Sequence, residues 1–204
     1  MDSNNNYDIF FGGYMTQEIE IEYKVLLSKQ EYERLAANLP FPNEPTVQTN
    51  YYFETNECDL KKHASALRIR HKHNQYTLTL KQPHQNGILE THDHLMENMY
   101  KKWLSGNPIP TKNVTKQLNT MNIPVNQLRY FGSLKTMRKS FRANAVTYVI
   151  DESIYNGMTD YELEIEAPSH RLAKSAFNGI LRQFYISPKQ PITKTERFFN
   201  TLTS

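Results

Sequence analysis

Residues 18–25 alternate without interruption: Glu18, Glu20, Glu22 and Lys24 in one phase, Ile19, Ile21, Tyr23 and Val25 in the other. The pattern returns at 160–166, where Asp160, Glu162, Glu164 and Glu166 alternate with Tyr161, Leu163 and Ile165. A period of two sends successive side chains to opposite faces of a strand, so each segment predicts a strand with one apolar and one charged face. The apolar face must be covered. The charged face is either a wet surface or the lining of an interior whose charges are matched. For a single strand the wet surface is the simpler reading.

The rest of the chain alternates strands with helices. Ser28 and Glu31 form a capping-box pattern ahead of an apolar stripe at Tyr32, Leu35, Ala36 and Leu39, and Pro40, Pro42 and Pro45 end that helix. Strands are expected at 47–55, 66–72, 76–81 and 87–91, with a hairpin tip at Asn74-Gln75. Helical spacing at Leu95, Met96, Met99, Tyr100, Trp103 and Leu104, then at Val114, Leu118 and Met121, predicts a helical insertion over about 93–127. Strands resume at 133–142, 147–155 and 160–166, with Asn156-Gly157 as a hairpin turn. A helix capped by Ser169 follows, and a last helix is expected at about 192–203. Residues 1–14 carry no period and read as a flexible extension ahead of one domain spanning 15–204.

Composition narrows the class. The 204 residues include 24 basic and 21 acidic side chains, for a net charge of +3, too mild to argue for a nucleic-acid partner. No run of about 18 apolar residues suggests a membrane span. Cys58 has no second cysteine to pair with, which points to a reducing, cytoplasmic setting.

The charged faces gain meaning together. The first and last alternating strands carry carboxylates, and those between them carry Arg68, Arg70, Lys81 and Arg138. Curling the sheet so that its charged faces look inward gives a polar tunnel, apolar outside under helices, with no open edges. Carboxylates there suit a hard cation, and Arg and Lys suit phosphate oxygens. The candidate acids are Glu20, Glu22, Glu90, Asp151, Glu162 and Glu164, and the candidate bases Lys24, Arg68, Arg70, Lys81, Arg138, Arg142 and Lys194. Their charges nearly cancel. One or two divalent ions would leave roughly +3 to +5, enough to balance a triphosphate.

Glu20-Ile21-Glu22-Tyr23-Lys24 resembles the Glu-x-Glu-x-Lys signature of the CYTH superfamily, the triphosphate tunnel metalloenzymes. Tyr51-Tyr52-Phe53, Ala66-Leu67-Arg68-Ile69-Arg70, Thr79-Leu80-Lys81, Glu90, Met137-Arg138-Lys139, Asp151, Glu162-Leu163-Glu164 and Lys194 extend the resemblance over residues 17 to about 202, in particular to the small CYTH proteins of Gram-positive bacteria. It implies an α+β fold: an eight-stranded antiparallel β-barrel with helices packed outside, a Mg2+ or Mn2+ cofactor, and a triphosphate-bearing small molecule as substrate. By motif position, Glu20 and Glu22 resemble metal-site carboxylates, with Glu162 and Glu164 as counterparts, and Asp151 and Glu90 as weaker ones. Lys24, Arg68, Arg70, Lys81 and Arg138 resemble triphosphate ligands; with Glu20 and Glu22 they make the candidate catalytic set. Lys194 resembles a lysine on a helix that closes over substrate, and Arg142 is a further phosphate candidate.

The sequence departs from the family pattern twice. Glu166 leaves Glu162/Glu164 and Glu164/Glu166 both open as the acidic pair. Thr136 stands where many relatives have Lys, so phosphate contacts there are either reduced or taken over by Lys135 or Arg142. His92-Asp93-His94 lacks a third ligand at metal spacing and reads as a strand end and helix start, with Asp93 as a cap. Three activities follow in order: metal-dependent triphosphate hydrolysis, an adenylyl cyclase of class IV type, and polyphosphate or nucleotide sensing without turnover. A monomer or homodimer is expected, with neither nucleic acid nor membrane as partner.

Overall fold

A computed structural model of the chain describes residues 10–11, 14–189 and 192–202. Residues 1–9 and 12–13 of the expected extension lie outside the described residues. In chain order the strands are β1 (Phe10–Phe11), β2 (Tyr14–Met15), β3 (Gln17–Glu20), β4 (Glu22–Leu27), β5 (Thr46–Glu54), β6 (Ala66–Lys72), β7 (Gln75–His84), β8 (Gly87–Leu95), β9 (Arg129–Ala143), β10 (Val146–Tyr155) and β11 (Met158–Glu166). The helices are α1 (Lys29–Asn38), α2 (Asp59–Lys62), α3 (Glu97–Leu104), α4 (Asn113–Thr120), α5 (His170–Gln183) and α6 (Lys194–Asn200). Every described strand pairing is antiparallel.

The first alternating segment is two strands rather than one. Glu18 pairs with Glu90 of β8, whereas Lys24 pairs with Glu164 of β11, and the segment breaks at Ile21. This break brings the strand count, apart from the short β1–β2 ribbon, to nine rather than the eight expected. It also falls where the chain divides into two compact units. One holds the described residues up to Glu20 with Tyr51–Gly132; the other holds Ile21–Asn50 with the described residues from Ser133.

In the first unit the strands run β3-β8-β7-β6. Leu67, Ile69, Leu78 and Leu80 form its core with Phe53, Trp103, Val114 and Leu118. Phe53 meets Trp103 edge-on at 5.1 Å and Tyr51 lies 5.2 Å from Tyr100, so both rings serve packing. The β6–β7 turn is His73-Asn74, both at positive φ, one residue earlier than expected. β8 continues to Leu95, so His92, Asp93 and His94 are strand residues and the helical insertion starts later, at Glu97. Asp93 does not cap the helix that follows it, whose N-cap is Met96. Its carboxylate accepts instead from the backbone N–H groups of Asn113 (2.9 Å) and Val114 (2.7 Å), opening α4 twenty residues on.

In the second unit the order is β9-β10-β11-β4. α1 and α5 cover its apolar face, where Val25, Leu27, Leu35, Ile150, Leu163, Ile165 and Phe177 form one core. The capping box at the start of α1 is present: Ser28 Oγ accepts from Glu31 N, and Ser28 N donates to Glu31. Asn156 and Gly157 turn the β10–β11 hairpin at φ 46° and 76°. Among the described residues no helix is long and apolar enough to cross a membrane.

Gly87 begins β8 at φ +140°, and a Cβ there would run into the carbonyl oxygen of Glu20. Gly157, at φ +76°, faces open space. Gly87→Ala is expected to cost about 1–3 kcal/mol, with strain and clash combined, and Gly157→Ala about 1–2 kcal/mol from backbone strain alone. Urea unfolding tests the order; a smaller loss for Gly87→Ala would mean that β3 is not held tightly against β8.

Candidate functional site

The charged face of β11 is buried, not wet. Glu162 and Glu164 are 1% and 5% exposed, while Leu163 and Ile165 on the other face are fully buried. Such burial requires cations, and neighbouring elements of the same unit bring them. Lys24 of β4 pairs with Glu22 and lies 3.9 Å from both Glu162 and Glu164. Arg138 of β9 donates from Nε and Nη2 to Asp151 (2.8 and 2.6 Å), and from Nη2 to Glu164 (2.6 Å). Lys194 of α6 donates to Asp151 (2.5 Å) and Glu164 (3.4 Å). The phases read from sequence therefore converge here: Glu22, Lys24, Arg138, Asp151, Glu162, Glu164 and Lys194 form one network.

The network separates the proton affinities of two adjacent carboxylates. Burial raises that of Glu164, but Lys194, Arg138 and Lys24 outweigh it and hold its pKa well below the ordinary value. Asp151 is lowered in the same way, with Lys194 and Arg138 overcoming its burial. Glu162 goes the other way, to about 7, because burial and the charge of Glu164 prevail over Lys194 and Lys24. Lys24 and Lys194 are raised: burial opposes their charge, and the carboxylates around them overcome it.

The first unit carries a smaller cluster. Lys81 of β7 bridges Glu20 (2.7 Å) and Glu90 of β8. Glu90 is buried, yet Lys81 and Arg68 depress its pKa. Arg70 lies on the same face of β6 as Arg68, opposite Thr77. His92 was set aside for want of a third ligand; Glu18, across the strand pair, brings its carboxylate to 3.3 Å from Nε2, with Glu90 at 3.6 Å. Their ligand-type atoms all fall within 4.8 Å of one another. The signal was the cross-strand register of Glu18 with Glu90, which local spacing does not contain.

Other candidates fall outside these clusters. Arg142 shares the phase of Arg138 but is exposed near the end of β9. Lys135 has the opposite phase and is exposed, so it does not replace Thr136, which is fully buried with its hydroxyl 3.3 Å from Ser153 Oγ. Of the acidic alternatives, Glu162 and Glu164 are buried in the network, and Glu166 sits half-buried at the end of β11. Arg197 was missed. It reaches the same face one turn after Lys194 and donates to Asp160 (2.7 Å) and Glu162 (2.6 Å). The i, i+3 spacing of Lys194 and Arg197 was the available signal.

Comparison with known proteins identifies the family. The CYTH domain family matches residues 18–199, and the chain belongs to that family. It is 40% identical to YjbK of Bacillus subtilis, provisionally named a triphosphatase, over 91% of this chain and 96% of that protein. A crystal structure from Bacillus halodurans, provisionally named an adenylate cyclase, is 40% identical with a TM-score of 0.87, covering 91% of this chain and all of that one. The Hippeastrum protein HpAC1, described as having a dominant triphosphatase activity, shares the fold at 23% identity and a TM-score of 0.75, over 89% and 96% of the two chains. The α+β, antiparallel CYTH fold is thus established for this chain.

The opposed shifts give a pH test. Stability from the lowered Asp151 and Glu164 is present above their ordinary values and is lost as acid protonates them in the folded protein. Glu162 is raised from 4.5 to about 7, so its contribution is present below 4.5 and is lost as pH rises to 7. The unfolding free energy of the wild type minus that of Glu162→Gln should therefore fall between pH 4.5 and 7. A flat difference would place the carboxyl of Glu162 in a wetter setting.

Proposed function

We propose that the protein hydrolyses a triphosphate with a divalent metal ion, Mg2+ or Mn2+. The buried Glu162–Glu164 pair, with Glu22 beside Lys24 and with Arg138 and Lys194 interleaved, is the observation that carries this reading. The oxygen donors suit a hard cation. By motif position Glu22, Glu162 and Glu164 would hold the ion, with Asp151 beside them; Lys24 Nζ lies against all three. A cation bound there supplies charge neutralisation and polarises a phosphoryl oxygen. Among the described residues the carboxylates and imidazole already gathered within 4.8 Å are those of Glu18, Glu90 and His92.

The chain's own side chains supply the rest. Lys24, Arg138 and Lys194 remain protonated throughout the working pH range and can exchange carboxylate for phosphate oxygens. In the other unit Arg68, Arg70 and Lys81 offer the same chemistry, with Glu20 and Glu90 as counter-charges. Phosphoryl transfer asks chiefly for alignment and charge neutralisation, which fixed cations provide. The name of YjbK and the activity of HpAC1 point to hydrolysis. The name carried by the Bacillus halodurans structure supports cyclase activity as the second reading.

Product analysis separates the two. Tripolyphosphate, ATP, GTP and thiamine triphosphate, each with Mg2+ or Mn2+, should yield orthophosphate; cyclic AMP and pyrophosphate from ATP would establish the cyclase instead. Glu164→Gln should lower turnover by about 100-fold or more, since it removes charge at the reacting centre. Binding without turnover by the wild type would sink the enzymatic reading.

Phosphate binding should follow burial of the cations. Lys24→Gln is expected to weaken tripolyphosphate binding about tenfold or more, and exposed Arg142→Gln less than about threefold. Calorimetric titration measures both. Equal losses would bring Arg142 into the site.

A further inference from the structure

We propose that Arg197 is a positioning residue for Glu162: it ties one carboxylate oxygen, turns the other toward Lys24, and couples that arrangement to the docking of α6. This deepens the function proposed above and rests on it only where metal binding is concerned.

Arg197 is itself fixed on several sides. Its Nε donates to Asp160 Oδ2 (2.7 Å) and its Nη2 to Asp160 Oδ1 (3.2 Å), a two-pronged contact. Tyr155 holds the same Asp160 from β10, donating its hydroxyl to Oδ2 at 2.6 Å. Arg197 Nη1 donates to the backbone carbonyl of Ile192 at 2.6 Å, which fixes the approach to α6. Phe198, fully buried, and the Asn156–Thr201 hydrogen bond (2.8 Å) anchor the helix beyond it.

From this rigid mount Nη2 reaches Glu162 Oε2 at 2.6 Å. The other oxygen, Oε1, is paired with Lys24 Nζ at 3.9 Å, beyond hydrogen-bond reach, and accepts no N–H or O–H among the described residues; the carboxyl also lies within hydrogen-bond reach of Glu164. A guanidinium is planar, and its fork fixes the plane of a carboxylate in a way that an ammonium cannot. Once released from Arg197, the carboxylate of Glu162 has a near alternative: rotation onto Lys24. That would bring its second oxygen into direct hydrogen-bond contact with the ammonium and occupy the lysine. Arg197 thus holds the Glu162–Lys24 pair at 3.9 Å, short of a direct hydrogen bond, so that one can accept a cation and the other a phosphate.

The test uses the full chain and two variants. Arg197→Lys keeps the charge and loses the fork. Thr201→Val removes the Asn156 contact at the far end of α6 without touching Glu162. Both should speed amide exchange at residues 197–201. Only Arg197→Lys should weaken Mn2+ binding, by about tenfold in calorimetric titration. It should also move the carboxyl 13C resonance of Glu162. Unchanged Mn2+ affinity in Arg197→Lys overturns the proposal. So does an equal loss in Thr201→Val, which would make Arg197 an anchor only. If the wild type binds no Mn2+ or Mg2+, the metal reading fails, and the Glu162 resonance decides the proposal: a shift in Arg197→Lys alone supports it, and no shift, or the same shift in both variants, overturns it.

Discussion

The second unit depends on burying β11 on both faces while charging only one. A doubly buried strand is ordinarily apolar throughout, as its neighbours require. Here Leu163 and Ile165 meet the helices, and Glu162 and Glu164 face away from them. Removing a carboxylate from water costs several kcal/mol unless cations with good geometry compensate. The cations come from β4, β9 and α6, so the positions of those elements are bound to the charge pattern of one strand. Removing one partner of a buried ion pair costs about 3–5 kcal/mol when nothing replaces it, and here Glu164 and Asp151 each keep a second cation. Such a network contributes less to net stability than to keeping the elements in one arrangement.

The same network gives neighbouring carboxylates different characters. Glu164 lies among three cations and holds its charge; Glu162, two residues along, has a pKa near 7. Sites that handle cations and protons commonly show such splitting, and so do purely structural ion networks. Glu162 also shares a hydrogen bond with Glu164 and an ion pair with Lys24, so the two carboxyls titrate together.

What the sequence revealed followed from local periodicity. A period of two predicted the strands, and its phase predicted which side chains share a face. The capping box at Ser28 and the turn at Asn156-Gly157 are equally local and formed as read. Features set by distant partners were not legible. The alternation runs unbroken through Ile21, so the division of that segment between β8 and β11 leaves no trace in it. Asp93 caps a helix twenty residues away, and Glu18 meets His92 only through strand pairing. Arg197 escaped notice because its helix was read through its apolar positions, Phe198, Phe199 and Leu202.

α6 contributes two cations to carboxylates on the strands, and it is bound there partly by charge and partly by Phe198. Charge contacts exchange partners more readily than packed rings do, because a new counter-ion can replace an old one without opening a cavity. Under the proposed function, Glu164 would hold a divalent cation as its counter-charge in place of Lys194, and Lys194 would be left to bind a phosphate oxygen. Such an exchange would keep the buried charges matched, as burial demands. Arg197 would stand apart from such an exchange. Asp160 is its own acceptor and is held by Tyr155, so the helix would keep a fixed mount if Lys194 changed partner. The two basic residues of one helical turn would then divide the work, one held in place and the other exchanging its anion.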